Sequence, residues 1–107
     1  MQDLKSLHCQ PLEGTSAFGT HEIMRHLSAL PGWQLKDGSI EKHFEFADYH
    51  HTLAFVNALA FIAHTEDHHP ELRVTYNRCV VRYDTHSVNG ISINDFICAA
   101  KVDALLS

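Results

Sequence analysis

Trp33-Gln34-Leu35-Lys36-Asp37-Gly38-Ser39-Ile40-Glu41-Lys42-His43-Phe44-Glu45-Phe46 places the dipeptide Asp37-Gly38 between two apolar-rich runs. Asp-Gly is a strong hairpin signal, because the tight two-residue turn that joins twisted strands needs positive φ at both central positions. Trp33 and Leu35 on one side, and Ile40, Phe44 and Phe46 on the other, therefore read as paired antiparallel strands. In the second strand Ile40, Lys42, Phe44 and Phe46 share one parity and Glu41, His43 and Glu45 the other, the alternation of a strand with one buried face. The pattern predicts that His43 faces water.

Working outward, Thr20 can cap a helix in which Ile23, Leu27 and Leu30 recur at helical spacing until Pro31-Gly32, predicting helix one over 20–30. Residues 1–19, with Pro11, Gly14 and Gly19 and no sustained period, read as an irregular N-terminal arm. After the hairpin, Asp48 can cap a second helix over 49–64. Tyr49, Leu53, Val56, Ala60 and Ala63 form its stripe, and Phe55, Leu59 and Ile62 widen it. Phe61, Ala54 and Ala58 add apolar surface beyond what one sheet face covers, so this helix is expected to form a subunit interface. Leu72, Val74 and Tyr76, then Cys79, Val81 and Tyr83, alternate around Asn77-Arg78 as a second hairpin. Ser92 with Asp95 three residues on has the form of a capping box and opens helix three, with Ile93, Phe96, Ile97, Ala100 and Ala104 as its packing stripe. The order is α-β-β-α-β-β-α. It predicts one α+β domain over 1–107, a four-stranded antiparallel sheet with helices on one face.

Composition narrows the function. The 107 residues are 45% apolar and 20% charged, enough for one modest core. A net charge of -5 with only 8 Lys and Arg argues against direct nucleic-acid binding, which needs clustered cations. Cys9, Cys79 and Cys98 lack C-x-x-C spacing and are odd in number, as expected of reduced thiols in the cytoplasm. No segment approaches the roughly 20 apolar residues of a membrane span, and the N-terminus lacks the pattern of a secretion signal.

The unusual number is 10 histidines. Histidine is the side chain whose unperturbed pKa, about 6.5, permits proton transfer both ways near neutrality. Asp67-His68-His69-Pro70 sits where helix two must stop, because Pro70 disfavours helical geometry at His69 and has no amide to donate. The hairpin that follows returns the chain to the same end of the sheet, where His86 stands at the end of strand four. His68, His69 and His86 are thus expected to converge. A metal site built on His64 and His68 at i, i+4, with His86 or Asp67, would require the helix to persist through His68. No G-x-S-x-G motif and no glycine-rich phosphate loop is present, and no cysteine is paired by sequence with an activating histidine outside the arm. Acid-base chemistry by imidazole, with no cofactor, remains.

The string His68-His69-Pro70-Glu71, Tyr76-Asn77, Thr85-His86, Gly90, Ser92, Asp95 and Ala99-Ala100 closely resembles the pterin-4a-carbinolamine dehydratases, which are also known in animals as dimerisation cofactors of a hepatocyte nuclear factor. The resemblance runs from about Leu30-Pro31-Gly32-Trp33 to Leu105. It implies dehydration of a 4a-hydroxytetrahydropterin to the quinonoid dihydropterin, which recycles the cofactor of aromatic amino acid hydroxylation. It carries the family's catalytic histidines onto His68, His69 and His86, and matches the acidic residue before the pair with Asp67. His69, Asp67 and Pro70 are expected to contact the pterin. Family members often have two glycines where this chain has Asn89-Gly90, and an acidic or other polar side chain where it has His64. The resemblance also brings in an alternative function: a helix-mediated interaction module or transcriptional coactivator without essential catalysis. Self-association through helix two, as a homodimer or homotetramer, is the favoured partnership.

Overall fold

The computed structural model describes residues 3–107. At the hairpin that opened the sequence, Lys36 pairs with Ser39, so Asp37 and Gly38 alone make the turn, with φ of 49° and 82°. Both angles are positive, as such a turn demands. The strands are β1 (Gln34–Lys36) and β2 (Ser39–Glu45), and the second hairpin is β3 (Glu71–Val74) with β4 (Arg78–Tyr83). All pairings are antiparallel, in the order β1-β2-β4-β3. The helices are α1 (Thr20–Leu27), α2 (Tyr49–Glu66) and α3 (Ile93–Ala104). The chain is therefore α+β, with the element order expected from the sequence.

Register explains which face is covered. Ile40 pairs with Tyr83 and Phe44 with Cys79, with Val81 between them on β4, and all five are buried against Phe55 and Leu59 of α2 and Phe96 and Val102 of α3. On the opposite face Glu41, Arg82 and Glu71 lie side by side across three strands. Glu41 is nevertheless buried, against the solvent-facing parity of its strand, because Arg82 and His43 close over its carboxylate. Burial alone would raise this carboxyl, but hydrogen bonds from His43 and Arg82 and the guanidinium charge hold it below the ordinary carboxylate range. His43 itself is exposed, as its parity predicted.

Several boundaries differ from the sequence reading. Gly19, not Thr20, occupies the cap of α1 and offers no side-chain bond, and the helix stops at Leu27, with Leu30 buried in the turn that follows. β3 ends at Val74, and Tyr76 is exposed rather than part of an alternating strand. In α2 the buried line is Thr52, Phe55, Leu59, Ala63 and Glu66, whereas Tyr49, Leu53 and Ala60 of the expected stripe turn outward. Thr52 can lie inside because its hydroxyl donates to the carbonyls of Asp48 and Tyr76, satisfying a polar group that hydropathy alone would place outside. Asp48 caps α2 as expected, accepting from the His51 amide at 2.9 Å. Apart from a 3-10 turn over Leu4–Ser6, residues 3–19 are irregular, and they pack back on the body of the molecule.

Candidate active site

The C-terminus of α2 delivers the first histidine. Asp67 adopts the left-handed conformation, φ 50° and ψ 45°, and the Asp67 and His68 amides donate back to the carbonyls of His64 and Ala63. These are the two bonds of a Schellman ending, which satisfies the last carbonyls while turning the chain off the helix axis. Pro70 forbids continuation, but Asp67 makes the turn. The turn also takes His68 out of the helical register of His64, so the i, i+4 pair needed for a metal site does not form. Among the described residues no group of three or more His, Cys, Asp or Glu side chains is placed to hold a metal ion.

His68 then enters a small buried network. Its Nε2 lies 2.6 Å from Oδ1 of Asp95, and its ring stacks nearly parallel to Tyr83, centroids 5.6 Å apart. Asp95 is fully buried. Its other oxygen, Oδ2, accepts from the Ser92 amide at 2.9 Å and the Thr85 hydroxyl at 2.8 Å. Because Thr85 uses its one proton on Asp95, the 2.6 Å contact between the Thr85 and Ser92 hydroxyls has Ser92 as donor. Ser92 Oγ in turn accepts from the Asn94 amide, completing the capping box of α3. The carboxylate that the sequence presented as a helix cap is thus also the one that holds the imidazole. With Nε2–H donating to Asp95, a neutral ring keeps Nδ1 as its acceptor, and the protonated ring has Nδ1–H to give away. Burial pushes the Tyr83 phenol far above its ordinary value, Cys98 adding to the shift, so it stays neutral and acts as a flat wall.

A cleft of about 390 Å³ opens beside this network, lined by Thr65, Glu66, Asp67, His68, Thr85, Ser87 and Asn94 on the body and by residues 9–13 of the arm. Its size is in the roughly 300–1,000 Å³ range of small-molecule sites. A larger cavity, about 520 Å³, lies between the start of the arm, α1 and α3, and its lining is mostly apolar and remote from this chemistry.

The other expected residues lie around the cleft rather than in it. His69 is exposed just before β3. His86 is not on strand four: β4 ends at Tyr83, and His86 begins a 3-10 turn over His86–Val88. It is exposed and lines a smaller hollow of about 160 Å³ with Asp84, Thr85 and Asn89. Thr85 lines both spaces and bonds the carboxylate under His68, so the two histidines flank one residue. Asp67 lines the cleft and is exposed, and its carboxylate is not the one that holds His68. Sequence reasoning missed Thr85 and the second role of Asp95. The available signal was an Asp where a capping box usually has Glu or Gln: the shorter side chain keeps its carboxylate at the helix start, within reach of neighbours.

A small α+β domain with a carboxylate-held histidine on a polar cleft defines a class suited to proton transfer on a small substrate. The family is settled by similarity. Residues 16–105 match the family described as Pterin 4 alpha carbinolamine dehydratase, and the chain belongs to that family. A Bdellovibrio bacteriovorus protein provisionally named as a pterin-4-alpha-carbinolamine dehydratase is 62% identical over 93 residues, covering 83% of this chain and 78% of that one. A Xanthomonas oryzae protein with the same provisional name is 53% identical over 105 residues, covering 95% and 89%. The crystal structure of a transcriptional coactivator/pterin dehydratase from Brucella melitensis superposes with a TM-score of 0.82 at 35% identity, covering 86% of this chain and all of that one.

Proposed function

We propose that this protein dehydrates a 4a-hydroxytetrahydropterin to the quinonoid dihydropterin and water, and so recycles a tetrahydropterin cofactor. The observation that carries the reading is the His68–Asp95 pair on the wall of the cleft. Loss of water from a carbinolamine needs a proton delivered to the leaving hydroxyl and another taken from a ring nitrogen. No electrons are exchanged, so imidazoles suffice. His68 and His86 exchange these protons, His69 positions the pterin, and Asp67 and Pro70 contact its ring. Asp95 fixes the His68 tautomer and stabilises the imidazolium that forms, the part a buried carboxylate plays beside other catalytic histidines.

Following decay of a synthetic 4a-hydroxytetrahydropterin tests this directly. His68→Ala and His86→Ala should each slow turnover by about 10² or more, and Asp95→Asn by about tenfold. Wild-type protein that leaves the uncatalysed rate unchanged ends the proposal, as does full activity in both histidine variants. The same reading includes self-association. Tyr49, Leu53 and Phe61 of α2 are exposed, Phe61 by 72%, and a second copy would cover them.

A further inference from the structure

The N-terminal arm is held against the cleft by contacts that a loose lead-in would not make. The Asn94 side chain grips the main chain of Gln10 at two points: Oδ1 accepts from the Gln10 amide at 3.2 Å, and Nδ2 donates to the Gln10 carbonyl at 2.8 Å. One residue earlier, the Cys9 amide donates to Oε1 of Glu66 at 2.7 Å, and His8 Nδ1 lies 2.8 Å from Oε2. The Cys9 thiol sits 3.5 Å from that of Cys98. Glu66 and Asn94 are both buried, although neither type is commonly found inside without a partner. A primary amide matches a peptide group donor for acceptor, so Asn94 reads backbone and fixes the arm's position whatever side chain stands at 10.

From this we infer that residues 9–13 form a constructed wall of the substrate cleft, and that Asn94 and Glu66 are positioning residues that set substrate affinity and selectivity. Both anchors are neighbours of the proton-transfer machinery. Asn94 precedes Asp95, and Glu66 lies two residues before His68. The arm has no regular structure around residues 9–13, so the placement of this stretch depends on such side-chain contacts, Asn94 and Glu66 foremost. The wall holds the part of a pterin that projects away from His68, and its removal weakens binding without disturbing the Asp95–His68 pair. The inference rests on the pterin reading for its substrate.

Two full-length variants test it: Gln10→Pro, which deletes the amide that Asn94 accepts from at an exposed position, and Asn94→Asp, which keeps the size but removes the donor to Gln10. Turnover of 4a-hydroxytetrahydropterins with and without a C6 substituent is measured alongside fluorescence titration with a dihydropterin. KM and the dihydropterin Kd should rise about fivefold or more while kcat falls less than twofold, with an altered preference between the two substrates. Unchanged KM and Kd in Gln10→Pro, which replaces no buried side chain, overturn the inference even if Asn94→Asp fails to fold. An inactive wild type that binds dihydropterin, and binds it less well as either variant, refutes the dehydratase reading but supports the wall. Absence of both turnover and binding in the wild type refutes both.

Discussion

At the residue scale, two buried carboxylates do most of the organising. Asp95 joins the start of α3 to His68 and to the Thr85–His86 turn, so a helix cap and a cleft-lining imidazole share one anion. Glu66 does the corresponding work for the arm. Burial alone would raise its carboxyl, but the Cys9 amide, His8 and Lys101 outweigh it and hold the pKa below the ordinary 4.5. A depressed folded pKa contributes stability that is fully present above the unfolded value and is lost as pH falls through the folded one. The contribution of the Glu66 carboxylate to docking of the arm should therefore be fully present above about pH 4.5 and be lost as pH falls below it. The amide resonance of Cys9, followed by NMR, should titrate with a midpoint under 4.5. A midpoint at or above that value contradicts the contact.

At the element scale, the ending of α2 holds a strained residue where glycine would be more stable. Asp67 sits in the left-handed region, where a Cβ costs about 1 kcal/mol that glycine avoids. Glycine at this position would complete the Schellman ending with less strain, yet an acidic side chain lines the cleft instead. Asp67→Gly is expected to raise Tm by a few degrees. It should also lower kcat/KM for the pterin if Asp67 contacts the ring. Differential scanning calorimetry beside the turnover assay separates the two effects, and a variant equal to wild type in activity removes Asp67 from the site.

At the scale of the whole molecule, the sheet covers one side of α2 and leaves the other to water. Phe61, Leu53 and Tyr49 on that outer side are large and exposed, an arrangement that costs about 25 cal/mol for each Å² of apolar surface left wet. The self-association proposed for this face predicts an oligomer by light scattering at micromolar concentration, and Phe61→Glu should shift it to monomer. A wild-type monomer under those conditions refutes the interface. Among the described residues no helix is long and apolar enough to cross a membrane, so α2's apolar character is not that of a membrane span.

Local chemistry made much of this legible in the sequence. Asp37-Gly38 fixed the first hairpin because φ preference is a property of the residues themselves, and the alternation through Ile40 and Phe44 gave the buried face of β2 for the same reason. Asp48, Ser92 and Asp95 marked helix starts through bonds that span three residues. The end of α2 was legible only in part, since Pro70 announces a stop but the left-handed turn occurs at Asp67. The face of α2 that packs was not legible, because an apolar helix with a buried Thr52 offers no clear stripe until the sheet chooses one side. Nor was the clasp of Asn94 on Gln10, or the Asp95–His68 bond, which join residues 84 and 27 positions apart. A single sequence states what each residue can bond to. Which distant partner it meets is decided when the hairpins, the α2 ending and the arm close on one another.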